Sequence, residues 1–370
     1  MQFVKWEDLK EGMRLARPIY SKSGVLLFER NSKLTKGAID SVKNFGLLGI
    51  YILEPAEPLP PMSEEDMEFE RFEIKMVSTL QDEMERIIST KRYKNLPTIA
   101  SQILRAYGHL EDKVTIYQNL RSRDDFVCRH MFNTAILCAM ITHRMNVALD
   151  DQLTTVNAAL LHDIGKINSD NPVIYGRKPE AGDEEAYNKL MFDGLDLIEQ
   201  AFSGEGPALK RICTQALRNR IDYSNGVDIK SRKTILGAKV LIVANKYDEM
   251  TGMSLSGESE SELACIKHFM DHPDLYDKDV VQALIDSIRI LFTGVSVILN
   301  TGEKALILSE NTENILKPTV LCFRDDKVLD LSLYAYSDMW VKDIMKTLDN
   351  RYIMNVDPNK KTGEGETNNA

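Results

Sequence analysis

The sequence predicts a mainly α-helical protein, in which a helical bundle is flanked by a small N-terminal α/β module and a C-terminal β-rich module. Apolar residues recur at three- and four-residue steps over much of residues 64–292, as is typical of helices. Shorter apolar segments with strand-like alternation lie before and after that region. A segment with four prolines, at 54–61, separates the first module from the helices.

The N-terminal module covers residues 1–53. Residues 13–20 alternate apolar and polar side chains, which predicts a half-buried strand, and residues 25–28 and 49–53 predict two more. Residues 35–45 have helical spacing, with Thr35 as a candidate N-cap. The acidic, proline-rich residues 54–66 predict a stiff, solvated linker.

The helical region divides into a lead-in, residues 67–119, and a helical domain, residues 120–293. Helices are predicted over residues 72–89, 126–145, 151–162 and 235–248. The acidic residues 183–185 are expected to begin a further helix that runs to Phe202, because negative charge is favourable at a helix N-terminus.

The C-terminal module covers residues 294–357. Residues 295–299, 305–308 and 319–323 predict short strands, which are separated by turn residues at 300–302 and 317–318. A further turn at 325–326 precedes Val328 and Leu329. Residues 358–370 are polar and are expected to be a disordered tail.

Composition limits the classes of function. The chain has 370 residues and a formal net charge of -10, which argues against a nucleic-acid polymer as a partner but leaves room for a small anionic ligand. The five cysteines are scattered and form no paired motif, which indicates reduced thiols. No segment has the roughly 18 apolar residues of a membrane span. We therefore expect a cytoplasmic protein.

The most informative motif lies at the end of an apolar run, where His162 is followed directly by Asp163 and then by Gly165 and Lys166. An imidazole and a carboxylate at the end of a buried helix need a partner, and a divalent metal would suit both. His130 lies on a preceding helix that can bring a second imidazole to the same point. Taken alone, His130 is better interpreted as an ordinary core or surface histidine, and the His162-Asp163 pair reverses that preference.

The order of His130, the 160–166 segment and the 240–248 helix resembles the HD superfamily of metal-dependent phosphohydrolases, and more narrowly the HD-GYP family, which hydrolyses cyclic di-GMP. The resemblance covers about residues 120–295. It implies a helical bundle with two or three metals at its centre and a metal-bound hydroxide that attacks a phosphodiester.

Several positions depart from that family. A ligand histidine is expected four residues before Gly194, but the chain has Leu190 there, followed by Met191. The family then has a run of two histidines, a glutamate and a Gly-Tyr-Pro triplet. Here the two histidines correspond to Leu217 and Arg218, the glutamate to Asn219, and the triplet to residues 225–227. The last metal-binding aspartate is replaced by Asn245.

These departures reduce the predicted metal ligands to His130, His162 and Asp163, with Asn245 as a weak fourth. We expect at most one divalent ion (Fe, Mn or Zn), and the ion can be absent altogether. Arg218 is expected to pair with Asp163 or to hold a phosphate, because its charge would repel a second metal.

Lys166 and Arg220 match family positions near the substrate phosphates. Alternatively, Lys166 is a helix cap and Arg220 an ordinary surface charge. If catalysis survives, Asp163 and Lys166 are the candidate catalytic residues. His268, Asp271 and His272 could be read as another metal cluster, but we interpret them as loop or cap residues before Pro273.

The sequence therefore predicts a degenerate HD-GYP-like protein that binds a cyclic dinucleotide or a partner protein in bacterial signalling, with little or no hydrolysis. Two alternatives remain. One is an active metal-dependent phosphodiesterase with a reduced site, and the other is a scaffold that acts through its flanking modules. A homodimer is also left open.

Overall fold

The computed structural model of the chain describes residues 2–21, 25–53, 64–114, 116, 121–175, 180, 182–204, 207–252 and 259–345. The fold is mainly α, with a helical bundle between a small N-terminal α/β module and a C-terminal sheet, as the sequence predicts. Most of the predicted linker, residues 54–63, and the predicted tail, residues 358–370, lie outside the described residues. No helix in the described ranges is both long and apolar enough to span a membrane.

The N-terminal module consists of two small antiparallel sheets and one helix. Its elements are β1 (Gln2–Lys5), β2 (Arg14–Leu15), β3 (Ile19–Tyr20), β4 (Leu26–Phe28), α1 (Lys36–Asn44) and β5 (Gly49–Leu53). One sheet has the order β1-β5-β2, and β3 pairs with β4. The prediction of one strand over residues 13–20 is wrong, because the segment forms two short strands around Pro18, which has no amide hydrogen to donate. Thr35 caps α1, as predicted, by accepting a hydrogen bond from the Ala38 amide.

The bundle is built around one central helix. Its helices are α2 (Glu64–Thr90), α3 (Leu96–Tyr107), α4 (Phe126–Arg144), α5 (Leu149–Leu161), α6 (Asp183–Ala201), α7 (Ala208–Ser224), α8 (Leu236–Thr251), α9 (Glu262–Asp271) and α10 (Lys278–Ser287). Nearly every side chain of α4 is buried, because α2, α3, α5, α8 and α10 surround it. Polar side chains on α4 are therefore held inside the core.

The C-terminal module is a five-stranded antiparallel sheet. Its strands are β6 (Ser296–Leu299), β7 (Lys304–Ser309), β8 (Thr319–Cys322), β9 (Val328–Asp330) and β10 (Val341–Ile344), in the order β10-β6-β7-β8-β9. Burial alternates along β6 and β8, so that one face of the sheet packs on the helical core.

Candidate functional site

Three helices and one turn bring the predicted metal ligands together. His130 lies on α4, His162 ends α5, Asp163 precedes a 3-10 turn (Ile164–Lys166), and Asn245 lies on α8. Ligand atoms of His130, His162 and Asp163 all lie within 4.8 Å of one another, and all three residues are buried. The close packing of α4, α5 and α8 thus builds the cluster that the sequence order predicts.

Both imidazoles are oriented by hydrogen bonds at Nδ1. The Nδ1 of His162 lies 2.7 Å from the carbonyl oxygen of Ala159, and the Nδ1 of His130 lies 2.6 Å from Oδ2 of Asp248. A carbonyl and a carboxylate can only accept, so each Nδ1–H donates. Burial lowers the pKa of His162 despite the opposing charge of Asp163, which favours the neutral ring. A neutral ring held in this way presents the lone pair of Nε2.

The two Nε2 atoms converge on the amide oxygen of Asn245. The distances to Oδ1 are 2.9 Å from His130 and 2.7 Å from His162. The amide nitrogen of Asn245 donates to Oε1 of Glu249 at 3.0 Å, which fixes its oxygen toward the imidazoles. Oxygens of Asp163 lie 3.4 Å from Nε2 of His130 and 3.6 Å from Nε2 of His162. Four electron-pair donors therefore face one point: the two Nε2 atoms, the amide oxygen of Asn245 and the carboxylate of Asp163.

This donor set fits one divalent metal ion. Lone pairs that face one another repel unless a cation or added protons lie between them. Oδ1 of Asp163 is buried and has no hydrogen-bond partner within the described part of the chain. Two imidazoles, a carboxylate and an amide oxygen are ligands that Zn, Fe or Mn accept. The bond from His130 to Asp248 is the kind of outer contact that commonly orients a metal-binding histidine.

Each carboxylate around the cluster has its own cationic partner. Lys166 Nζ lies 2.5 Å from Asp163, and a guanidinium nitrogen of Arg121 lies 2.7 Å from Asp248. Burial opposes ionisation of both carboxylates. The neighbouring groups together outweigh it, with Lys166 the largest of them for Asp163 and Arg121 for Asp248, and they hold the pKa of each carboxylate below its ordinary value.

A third pair lies at the edge of the cluster. Arg220 contacts Glu249 at 3.2 Å. Burial again opposes ionisation, but Arg220 and Lys246 lower the pKa of Glu249 to about 2. With each carboxylate matched in this way, little negative charge is left over to attract a second divalent ion.

The side of the cluster next to His162 is apolar. A cavity of about 10 Å³ adjoins His162, Arg220 and Asn245, and its other walls are Met191, Cys213, Ala216, Leu217, Leu241 and Ile242. Such a volume is about that of a single water-sized sphere. Met191 and Leu217, which stand at or beside positions where the resemblance implies histidines, therefore contribute hydrocarbon walls rather than ligands.

Two glycines hold α6 against the 3-10 turn. A Cβ on Gly165 would lie 1.9 Å from the carbonyl oxygen of Leu190, and one on Gly194 would lie 2.8 Å from the Gly165 amide nitrogen. The contact places Gly194 directly against the His-Asp turn, and this close approach brings Met191 to the cavity.

The two arginines predicted to bind phosphate lie on different sides of α7. Arg220 reaches the cluster, whereas Arg218 is exposed and has no contact with Asp163, whose charge partner is Lys166. Residues two apart on a helix do not share a face. Phosphate binding by Arg218 stays a prediction. Among the described residues, Asp163 forms its ion pair with Lys166 and not with Arg218.

The pair His268 and His272 is separate from the cluster. His268 lies within α9 rather than in an irregular segment, and His272 ends that helix as its C-cap. The ring centroids are 4.4 Å apart, and Nε2 of His268 lies 3.3 Å from the Tyr276 hydroxyl. Among the described residues, the group that could hold a metal with three or more His, Cys, Asp or Glu ligands is that of His130, His162 and Asp163.

The residues that support the cluster were not predicted from the sequence. Asp248 accepts hydrogen bonds from Arg121, His130 and Asn133, and Glu249 holds Asn245. The available signal was spacing. Asn245, Asp248 and Glu249 stand at i, i+3 and i+4 of a mainly apolar helix, so they share one face.

The segment that carries this geometry matches a known family model. Residues 127–272 match the family model described as the HD domain. Among solved structures, a chain described as Bd1817, a HDG"Y"P protein from Bdellovibrio bacteriovorus, is similar at 14% identity and a TM-score of 0.43, over 77% of this chain and 98% of that chain. No curated protein matches the sequence. With its His-Asp pair at the meeting point of α4, α5 and α8, the segment 127–272 of this chain forms an HD domain.

Proposed function

We propose that this chain is a degenerate HD-GYP-like protein of bacterial signalling, which binds a cyclic dinucleotide or a partner protein with little or no hydrolysis. One observation carries the proposal. The buried cluster offers convergent ligands for one metal, and each of its carboxylates is already neutralised by Lys166, Arg121 or Arg220.

Phosphodiester hydrolysis with two metals needs ligands that hold both ions about 3.5–4 Å apart. The chain has a neutral Asn245 where the family has an aspartate, and Met191 and Leu217 line the adjoining cavity. An amide oxygen binds a divalent ion more weakly than a carboxylate does, because it has no net charge. We therefore infer at most one bound ion.

If an ion binds, His130, His162, Asp163 and Asn245 would hold it. Such an ion would act as a Lewis acid and lower the pKa of a bound water. The chain's own groups have positioning roles. Asp248 fixes the tautomer of His130, the Ala159 carbonyl fixes that of His162, and Lys166 keeps Asp163 ionised.

The cluster has little room for a ligand as large as a phosphate. Lys166 is buried against Asp163, and the adjoining cavity has a volume of about 10 Å³. Lys166 could hold a phosphate here only if its ion pair with Asp163 opened, and Arg220 only if its ion pair with Glu249 opened. A ligand that binds without such opening needs another surface.

Metal content and turnover test the proposal together. Protein purified without added metal, then supplied with Mn or Fe, is expected to hold at most one ion per chain and to leave cyclic di-GMP intact. His162→Ala should lose the ion, because it removes an Nε2 ligand. His268→Ala is the matched control, since His268 lies outside the cluster, and it should retain the ion. Two ions per chain, with turnover that His162→Ala abolishes, would contradict the proposal.

The alternative of an active, single-metal phosphodiesterase has one observation in its favour. Three protein ligands and a water can make a catalytic site, and this cluster has three strong ligands. One bound ion with turnover of cyclic di-GMP would establish that alternative. Calorimetry with cyclic di-GMP separates the remaining possibilities, because a pure scaffold would give no heat of binding.

A further inference from the structure

A second recess lies where the N-terminal module meets the HD domain. Its volume is about 400 Å³, within the range of small-molecule sites. It is lined by residues from β1 and the turn after it, from the end of α1 and the segment between α1 and β5, and from the segment before α4. These are Lys5, Trp6, Glu7, Lys43, Gly46, Leu47, Leu48 and Arg123. None of these residues belongs to the metal cluster.

The recess carries positive charge in an acidic protein. Three of its lining residues are cations, Lys5, Lys43 and Arg123, and one is an anion, Glu7, whereas the whole chain has a formal net charge of -10. Within the described part of the chain, no ion pair with a carboxylate is formed by any of the three cations. By contrast, Arg121, Lys166 and Arg220 are all paired. Cations grouped without carboxylate partners favour an anionic ligand.

Aromatic rings accompany these cations. The Lys43 ammonium lies 5.1 Å from the centroid of the Trp6 ring, and the Arg123 guanidinium lies 5.7 Å from that of Tyr175. An indole face can stack on a planar ring, and ammonium and guanidinium groups bind phosphate oxygens. We propose that the recess binds a mononucleotide, with its phosphate held by Lys5, Lys43 and Arg123 and its base against Trp6.

The size and net charge of the protein limit the occupant to a small molecule. A long nucleic acid would be repelled by the acidic surface outside the recess. The volume lies near the lower end of the small-molecule range, which suits one nucleotide better than a cyclic dinucleotide.

The recess also spans the joint between the two modules. The Arg123 amide donates to the Gly46 carbonyl at 3.1 Å, and the Leu48 amide donates to the Arg121 carbonyl at 3.3 Å. The side chain of Arg121 then holds Asp248, which orients His130. A nucleotide that contacts Lys43 and Arg123 therefore touches both sides of the joint. Arg121, two residues before Arg123, connects that joint to the metal cluster through Asp248.

Fluorescence of Trp6 provides a direct assay. The chain has two tryptophans, so Trp340→Phe leaves Trp6 as the reporter. Titration of this full-length variant with GMP is expected to give a saturable change for one site. Guanosine lacks the charge and inorganic phosphate lacks the ring, so each should bind at least about tenfold more weakly than GMP. Added salt should weaken the binding of GMP.

Charge variants locate the site. Lys43→Gln and Arg123→Gln should each weaken GMP binding by roughly tenfold, because each removes one charged donor. Lys36→Gln is the matched control, since Lys36 is exposed on the same helix as Lys43 but does not line the recess. Circular dichroism melts of each variant verify that it is folded before its affinity is compared.

Three results would overturn the assignment. The first is the absence of both a fluorescence change and a heat of binding with GMP. The second is equal affinity of Lys43→Gln, Arg123→Gln and Lys36→Gln. The third is affinity for guanosine or inorganic phosphate, measured by the Trp6 signal, that equals or exceeds that for GMP. The metal ligands do not line the recess, so His162→Ala should leave the affinity for GMP unchanged. A failure of the nucleotide proposal is therefore distinguishable from a failure of the proposed function.

Discussion

Replacement of Asp248 with alanine removes the carboxylate at the centre of the network that orients His130. Asp248 and Arg121 are almost fully buried, with 1% and 3% of their side chains exposed, and they are in contact at 2.7 Å. The variant leaves the Arg121 guanidinium in the core without that carboxylate. It also removes the acceptor for His130 and for the Asn133 amide.

The expected cost follows from burial. Removal of one partner from a buried ion pair costs about 3–5 kcal/mol, because the remaining charge stays in a medium of low polarity. For a domain of this size, each kcal/mol lowers the melting midpoint by about 2–4 °C, so Asp248→Ala should lower it by roughly 6–20 °C. The measurement is a thermal melt followed by helical circular dichroism.

Two controls make the result interpretable. Asp222→Ala removes an ion pair with Arg232 at 2.5 Å whose side chains are about one-third exposed, and such pairs contribute about 0–1 kcal/mol. The double variant Arg121→Met with Asp248→Leu should be more stable than Asp248→Ala, because no charge is left in the core. A midpoint for Asp248→Ala equal to that of Asp222→Ala would refute the reasoning.

Three further variants test other contacts by the same melts. Gly165→Ala places a Cβ 1.9 Å from the Leu190 carbonyl oxygen and should lower the free energy of unfolding by about 1–3 kcal/mol. Gly204→Ala is the control, because no atom lies within 4 Å of the added Cβ, and it should have little effect. Equal melting midpoints for the two variants would contradict the close approach. Glu83→Ala removes a buried acceptor for the Asn95 and Leu96 amides at the start of α3, at 2.7 and 3.2 Å, and should cost about 1–3 kcal/mol, with Glu83→Gln intermediate. Asp277→Ala removes the N-cap of α10 and should cost about 1 kcal/mol at pH 7. Burial opposes ionisation of Asp277, but Lys239 and two backbone amides lower its pKa. The stability that Asp277 contributes is therefore fully present above the ordinary pKa of 3.8 and is lost as the pH falls below that value. The difference in melting midpoint between wild type and Asp277→Ala should shrink at such low pH, and a constant difference would argue against the ionised cap.

The position of the metal cluster could be predicted because its signal is local. His162 and Asp163 end an apolar helix, and Asn245 lies within another apolar run, so each polar group stands out against its neighbours. The fold class followed from the same periodicity. β1 escaped prediction, because four residues with two apolar side chains are too short to show a period.

The supporting contacts could not be predicted, because they depend on tertiary packing. Arg121 and Asp248 are 127 residues apart and have no sequence pattern in common. Likewise, the choice between Arg218 and Arg220 depends on the rotation of α7 about its axis, which is set by the packing of that helix on α5, α6 and α8. An error of two residues in the alignment to a motif is enough to exchange an exposed arginine for one that reaches the cluster.

The backbone contacts between residues 46–48 and 121–123 have a consequence for how the chain comes apart. The N-terminal module is connected to α2 through residues 54–63, but it is also held by these hydrogen bonds, and Arg121 of the same turn is paired inside the HD domain. A protease cut within residues 54–63 should therefore leave two fragments that elute together in gel filtration. They should separate only when the helices melt, so the two modules constitute one cooperative unit of unfolding.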